Sequence, residues 1–169
     1  GAPVQAWQKA GRGFAIAQTY NNGNSAQIEL VPEQIGPDTF WRLYIRAAIQ
    51  DGSLGEPLTA IPWDFRARTS GDVEAYEAGG RFKDSTPQGY YIDFTEAAAL
   101  YGWERTPSDG TWRYNWPGVL YWEYSRRDRL SWWAAMQEIY TLDELQGGGN
   151  QSFSATPVPI SIVPTAAPQ

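Results

Sequence analysis

This chain has to build its interior from aromatic rings. Its 169 residues include nine Trp, ten Tyr and six Phe, with one Met, no His and no Cys. Trp and Tyr must therefore supply much of the large apolar volume a core requires. The same inventory removes most catalytic machinery. A Ser-His-Asp triad, a Cys-His dyad and a thiolate or imidazole zinc site all need residues that are missing. Carboxylates, hydroxyls, Lys, Tyr or an oxygen-ligated metal remain, which tilts the expectation toward binding or scaffolding.

The length suits one domain, able to bury roughly 70% of the surface its unfolded chain exposes. With 42% hydrophobic residues a core is within reach. The mean hydropathy of -0.49 and the lack of a long apolar run give no spanning helix, so no membrane insertion is expected within this chain. The net charge is -6 and the pI is near 4.6. Nucleic acid is therefore not an expected partner, because its backbone demands clustered Lys and Arg. The basic cluster Arg126, Arg127 and Arg129 is interrupted by Asp128 and reads as a solvated turn.

Residues 1–146 read as the globular domain and 147–169 as a Gly/Ser/Thr/Pro-rich linker or tail without charge. Gly1 reads as the start of a mature or excised fragment. Tails of this composition are frequent between exported domains, so the expected location is extracytoplasmic, secreted or at a cell surface. The expected partner is a cell-wall glycan or a surface protein. Asn150-Gln151-Ser152 fits a glycosylation acceptor pattern that is common by chance.

Hydrophobic periodicity gives the elements. Residues 27–31 form a candidate strand after the turn Asn21-Asn22-Gly23-Asn24, with 15–20 as its hairpin partner. Residues 39–48 alternate, with Trp41, Leu43, Ile45 and Ala47 on one face and Arg42, Tyr44 and Arg46 on the other. Asp51-Gly52 makes a turn. Residues 90–93 are a short strand that runs into a helix capped by Asp93, with Glu96 as capping-box partner and Gly102 as its end. Residues 119–124 form an aromatic strand. Ser131 caps a helix running to Tyr140, with Trp132, Ala135, Met136 and Ile139 on one stripe. Thr141 and Glu144 cap one further turn, closed by Gly147. The expected fold is a single α+β domain with a small antiparallel sheet and two principal helices.

Carboxylates set among aromatics are the candidates for chemistry. Asp64 stands in Pro62-Trp63-Asp64-Phe65, Glu104 follows Gly102-Trp103, and Glu123 lies in Tyr121-Trp122-Glu123-Tyr124. A glycosidase needs two carboxyls flanking a sugar, so Asp64 with Glu123 or Glu104 is the catalytic candidate set if the chain is an enzyme. The plainer reading has Glu123 on the polar side of a strand and Asp64 satisfied by Arg66 or Arg68.

The aromatics divide in the same way. Trp103, Trp122 and Trp132 are expected in the core, whereas Trp112 and Trp116 lie in the loop 107–117 and are the better candidates for a binding surface. The candidate ligand-binding set is Trp112, Trp116, Tyr121, Trp122 and Asp64.

Tyr101-Gly102-Trp103, Trp112 and Leu120-Tyr121-Trp122-Glu123-Tyr124, with Pro62-Trp63-Asp64-Phe65 upstream, resemble the closing part of zinc D-alanyl-D-alanine carboxypeptidases and related hedgehog-type domains. The resemblance covers residues 54–124 and implies that Asp64 stands for the ligand aspartate. Pro57 then replaces one ligand histidine and Tyr121 the other, which implies a pseudo-enzyme without zinc. Across 41–145 the chain is also similar to an uncharacterised exported bacterial domain, on Asp51-Gly52-Ser53, Gly55-Glu56-Pro57-Leu58, residues 62–68 and Tyr101-Gly102-Trp103-Glu104-Arg105. That likeness implies a location outside the cytoplasm and no particular activity.

The leading expectation is a non-catalytic extracytoplasmic module that binds glycan, peptidoglycan or a protein partner through an aromatic-rich surface. The alternatives are a carboxylate-dependent glycoside hydrolase and a purely structural subunit of a cell-surface assembly. No cofactor and no metal are expected, and no calcium loop of the DxDxDG type occurs.

Overall fold

The alternation around Trp41 produces the strand it predicts, and that strand is central to the largest sheet. The computed structural model describes residues 6–19, 21–22 and 25–146. The expected tail with its Asn150-Gln151-Ser152 triplet, the closing Gly147, and Tyr20, Gly23 and Asn24 of the first expected hairpin lie outside the described residues.

In chain order the strands are β1 (Gly13–Ala15), β2 (Asn21–Asn22), β3 (Ser25–Ala26), β4 (Ile28–Ile35), β5 (Asp38–Arg46), β6 (Glu56–Pro57), β7 (Trp63–Asp64), β8 (Arg81–Phe82), β9 (Tyr90–Asp93), β10 (Glu104–Arg105) and β11 (Glu123–Ser125). The helices are α1 (Val73–Ala78), α2 (Phe94–Leu100), α3 (Trp132–Gln137) and α4 (Leu142–Gln146). Strands order as β4-β5-β9-β6 in one sheet and β1-β11-β10 in a second, with β2-β3 and β7-β8 as separate pairs. Every pairing is antiparallel. The architecture is that of the expected single α+β domain, with small antiparallel sheets and, among the described residues, four short α-helices.

Two strand expectations give way. Among the described residues, 15–19 do not pair with 27–31: Ala15 lies opposite Glu123, and β4 instead pairs along its whole length with β5, Leu30 opposite Leu43. The tight connection at Gly36, at φ 60°, sets that hairpin. Its inward pairs bury Leu30, Trp41 and Leu43. Asn21 and Asn22 belong to a strand rather than a turn. The strand expected over 119–124 is confined to Glu123–Ser125. Before it the chain follows a 3-10 turn, Trp116–Gly118, and passes through Leu120 at φ 56°, a left-handed backbone incompatible with a continuous strand.

The caps mostly form as the sequence dictates. Asp93 Oδ1 accepts the Glu96 amide at 2.9 Å, while the Glu96 carboxylate lies 3.7 Å from Arg42. Ser131 Oγ accepts the Ala134 amide at 3.1 Å, but α3 ends at Gln137 and Ile139 is exposed. Thr141 and Glu144 complete a reciprocal box, Thr141 N–H donating to Glu144 Oε2 at 2.7 Å and Glu144 N–H to Thr141 Oγ1 at 3.4 Å. Helix α1 was not foreseen. Asp72 caps it through the Glu74 and Ala75 amides, and Gly79 closes it in the left-handed conformation.

The main core is aromatic, as the composition requires. Leu30, Trp41, Leu43, Trp112, Val119, Tyr121 and Trp122 form one buried cluster. Trp41 meets Trp112 edge-on at 5.1 Å. Its indole N–H donates to Ser108 Oγ at 2.7 Å, and Ser108 donates onward to the Val119 carbonyl at 2.8 Å. A smaller cluster of Ala10, Ala135 and Met136 gathers Trp7, Leu130 and Trp132 around it. The Arg126–Arg129 segment is indeed a turn: Asp128 and Arg129 have φ of 48° and 62°, and Asp128 accepts from Arg12 at 2.7 Å and Arg126 at 3.1 Å.

Candidate functional site

The site begins with a glycine. At Gly80, φ is 138°, and a Cβ there would meet Trp63 Nε1 at 2.4 Å and the Asp64 carbonyl at 2.6 Å. The missing side chain lets β8 lie directly against β7, with Trp63 opposite Phe82 and Asp64 opposite Arg81. Between this pair, strand β4 and the 116–121 segment opens a cleft of about 690 Å³.

Tyr121 and Trp116 form its aromatic side. Tyr121 is 4% exposed. Its hydroxyl donates to the Gln18 carbonyl, and burial pushes the phenol up to about 12. Trp116 is 37% exposed. Its indole N–H donates to Gln18 Oε1 at 3.3 Å, and its ring stands edge-on to Phe65 at 5.1 Å. Gln18 thereby holds both rings in place.

Charged groups make the other side. Lys83 Nζ lies 2.8 and 2.6 Å from the two oxygens of Glu29, a buried carboxylate. Asp64 also lines the cleft. It is not satisfied by the Arg66 or Arg68 guanidinium, as expected, but accepts the Arg66 backbone N–H at 2.9 Å and so caps the 3-10 turn Phe65–Thr69. Arg66 and Arg81 line the cleft as well. Among the described residues neither guanidinium takes part in an ion pair or a hydrogen bond.

Of the candidate ligand-binding residues, the structure brings Asp64, Trp116 and Tyr121 to one cleft and sends Trp112 and Trp122 into the core, at 8% and 6% exposure. Trp112 departs from its expected loop exposure because the loop is fastened down. Ser108 N–H donates to the Thr39 carbonyl at 2.8 Å and Asp109 N–H to the Gly118 carbonyl at 2.9 Å. Asp109 Oδ1 in turn takes the Thr111 amide and hydroxyl at 2.7 and 2.6 Å. The residue that follows is driven against Trp41 and, at 6.4 Å, Trp63. Trp103 and Trp132 are half-buried.

The catalytic candidates are not gathered around a common space. Glu104 is exposed on β10, opposite Ser125 and 3.9 Å from Arg127, and lines a different hollow beside Phe40 and Trp103. Glu123 lies on the same face of β11 two residues before Ser125, half-buried, with its carboxyl pushed up by burial. It lines neither Asp64's cleft nor Glu104's hollow.

The positions that the carboxypeptidase likeness matches do not fit zinc. Asp64 and Tyr121 share the cleft, but Pro57 sits on β6 opposite Tyr90 and lines another depression. No group of three or more His, Cys, Asp or Glu able to hold a metal ion occurs among the described residues. No helix among them is long and apolar enough to cross a membrane.

Sequence reasoning missed Gln18, Glu29, Arg66, Arg81 and Lys83 as cleft residues. Gln18 lies 98 positions from Trp116 and Glu29 lies 54 from Lys83, and no local pattern signals either pairing. Compared with protein-family models, curated proteins and solved structures, the chain matches none. The two likenesses noted from its motifs rest on those motifs alone.

Proposed function

We propose that the protein is a non-catalytic, extracytoplasmic module that binds a cell-wall glycan in the cleft between Trp116 and the β7–β8 pair. The observation that carries this reading is Trp116 itself: a partly exposed indole, braced by Gln18 and Phe65, at an open cleft otherwise rich in hydrogen-bonding groups. Sugars are held by an aromatic face against their C–H groups together with directional polar contacts. A large ring left partly in water while its neighbours are buried supplies the first.

The arrangement of the carboxylates favours binding over hydrolysis. Asp64 has one oxygen committed to a backbone amide, Glu29 is matched by Lys83, and Glu104 and Glu123 lie elsewhere. A glycosidase needs an acid and a second carboxylate on either side of one bond; here the carboxylates expected to partner Asp64 are absent from the cleft, and the third carboxylate that lines it, Asp84, is exposed.

The test is incubation of the purified protein with peptidoglycan and with soluble wall fragments, scoring bound protein in the pellet and released products by mass spectrometry. Retention without products, lost in Trp116→Ala while the circular dichroism spectrum is kept, is the expected result. Released products would replace this reading with carboxylate-dependent hydrolysis, and absence of retention would leave a structural assembly role.

A further inference from the structure

We infer that this cleft selects saccharides carrying an acid group, with Arg66 and Arg81 as the residues that bind it. The inference rests on the reading of the cleft as a glycan site and adds the ligand's charge.

The protein carries a net charge of -6, so cations are the scarcer charge, and elsewhere in the fold several are already held by carboxylates. Arg42 is shared by Glu33 and Asp93, Arg105 is held by Glu33, and Arg12 by Asp128 and Glu138. Arg66 and Arg81 are exposed, line the cleft and have no such partner. Their position follows from the fold: Arg81 lies opposite Asp64 across β7–β8, and Arg66 enters the turn that Asp64 caps. Two planar guanidinium forks bordering one space are suited to an oxyanion, which each can engage through paired N–H groups.

The remaining groups reinforce this. An ammonium has three N–H donors, and Glu29 occupies two of those on Lys83, leaving one for a ligand oxygen on a side chain that stays a third exposed. Gln18 accepts from Trp116 through Oε1, which leaves its NH₂ as a donor. Of the carboxylates at the cleft, Glu29 is neutralised by Lys83 and Asp64 has its Oδ1 on a backbone amide, while exposed Asp84 keeps both oxygens uncommitted. The free donors thus outnumber the free acceptors beside an aromatic face, and an acceptor-rich, anionic sugar is the complement.

The experiment is isothermal titration of the whole chain with tetragalacturonate, its carboxyl-reduced neutral counterpart and a sulfated tetrasaccharide, repeated on Arg66→Gln/Arg81→Gln and on Trp116→Ala. The expected result is tighter binding of the uronate than of the neutral sugar, weakening with added salt. The double Arg variant should lose about tenfold in affinity for the uronate and distinctly less for the neutral sugar. Binding of the sulfated sugar with the same Arg dependence widens the class to any oxyanion on a saccharide, and its failure narrows it to carboxylates; both support the inference. Equal binding of neutral and acidic sugars, lost in Trp116→Ala but indifferent to the Arg changes, overturns the inference and leaves the glycan reading intact. No binding of any probe overturns the inference, while the glycan reading is decided separately by retention on peptidoglycan.

Discussion

Lys83 and Glu29 lie 54 positions apart and meet through both carboxylate oxygens, at 2.8 and 2.6 Å, with the Glu29 side chain 7% exposed and that of Lys83 33% exposed. The pair joins β4 to the segment after β8 across the floor of the cleft. A buried carboxylate that loses its cation keeps its desolvation penalty without compensation. Lys83→Met is therefore expected to cost about 2–3 kcal/mol, below the fully buried range because Lys83 is partly in water. The double variant Glu29→Leu/Lys83→Met should recover most of that loss. Urea unfolding of the three proteins measures it, and a double variant no more stable than Lys83→Met would refute the pairing as described.

Trp112 and Trp116 sit four residues apart and should respond oppositely. Trp112 is packed among Trp41, Trp63 and Leu30 in the main core, so Trp112→Ala should cost about 3–5 kcal/mol. Trp116 keeps over a third of its surface in solvent, and its loss should cost about 1–2 kcal/mol. Thermal and chemical unfolding of both variants checks the difference. Equal costs would place both rings in the core and remove the aromatic side of the proposed site.

That contrast marks what the sequence discloses. Period-2 alternation specified β5, and Asp93, Ser131 and Thr141 announced their helices, because strand faces and caps are written within a few residues. Burial of Trp112 was not legible. It depends on Ser108 bonding to Thr39 and Asp109 to Gly118, contacts that fasten a loop to a sheet from a distance. The cleft was half legible: Asp64, Trp116 and Tyr121 stood out as residue types in odd company, while Gln18, Glu29 and Lys83 acquire meaning only once β4, β7 and β8 are side by side.

Glu123 gives a pH signature. Burial raises its carboxyl above the ordinary glutamate value, so the folded state holds the proton more tightly than the unfolded chain does. Its contribution to stability therefore declines as pH rises from the unfolded value through the folded one. Glu123→Gln should raise the unfolding midpoint at about pH 7 and lose that advantage at about pH 4. It should also leave glycan retention unchanged. Loss of retention in a folded Glu123→Gln protein would restore this residue as a candidate for chemistry.

Glu33 should behave in the opposite sense. Desolvation raises its carboxyl, but the Arg105 guanidinium at 2.7 Å and a hydrogen bond from Arg42 at 3.2 Å outweigh it and hold the group below its ordinary value. Stability from this group is present above the unfolded glutamate range and is lost as pH falls through the folded value. Between about pH 7 and about pH 3 the wild type should lose more stability than Arg105→Met does. Parallel acid limbs in the two proteins would show that the Arg105–Glu33 contact, 2.7 Å, does not operate in solution.

Asp64 separates structure from catalysis most sharply, because its cap and any acid–base role require different chemistry. Capping needs only an oxygen acceptor for the Arg66 amide, which Asn retains and Ala lacks. Asp64→Asn should therefore stay within about 0.5 kcal/mol of the wild type, and Asp64→Ala should lose about 0.5–2 kcal/mol. If Asp64 served as acid, base or nucleophile, Asn would be as damaging as Ala to turnover, since neither ionises. The expected outcome is that Asp64→Asn retains both fold and wall retention. A folded Asp64→Asn protein that has lost an activity of the wild type on wall fragments would establish the carboxylate, rather than the cap, as the reason for this residue.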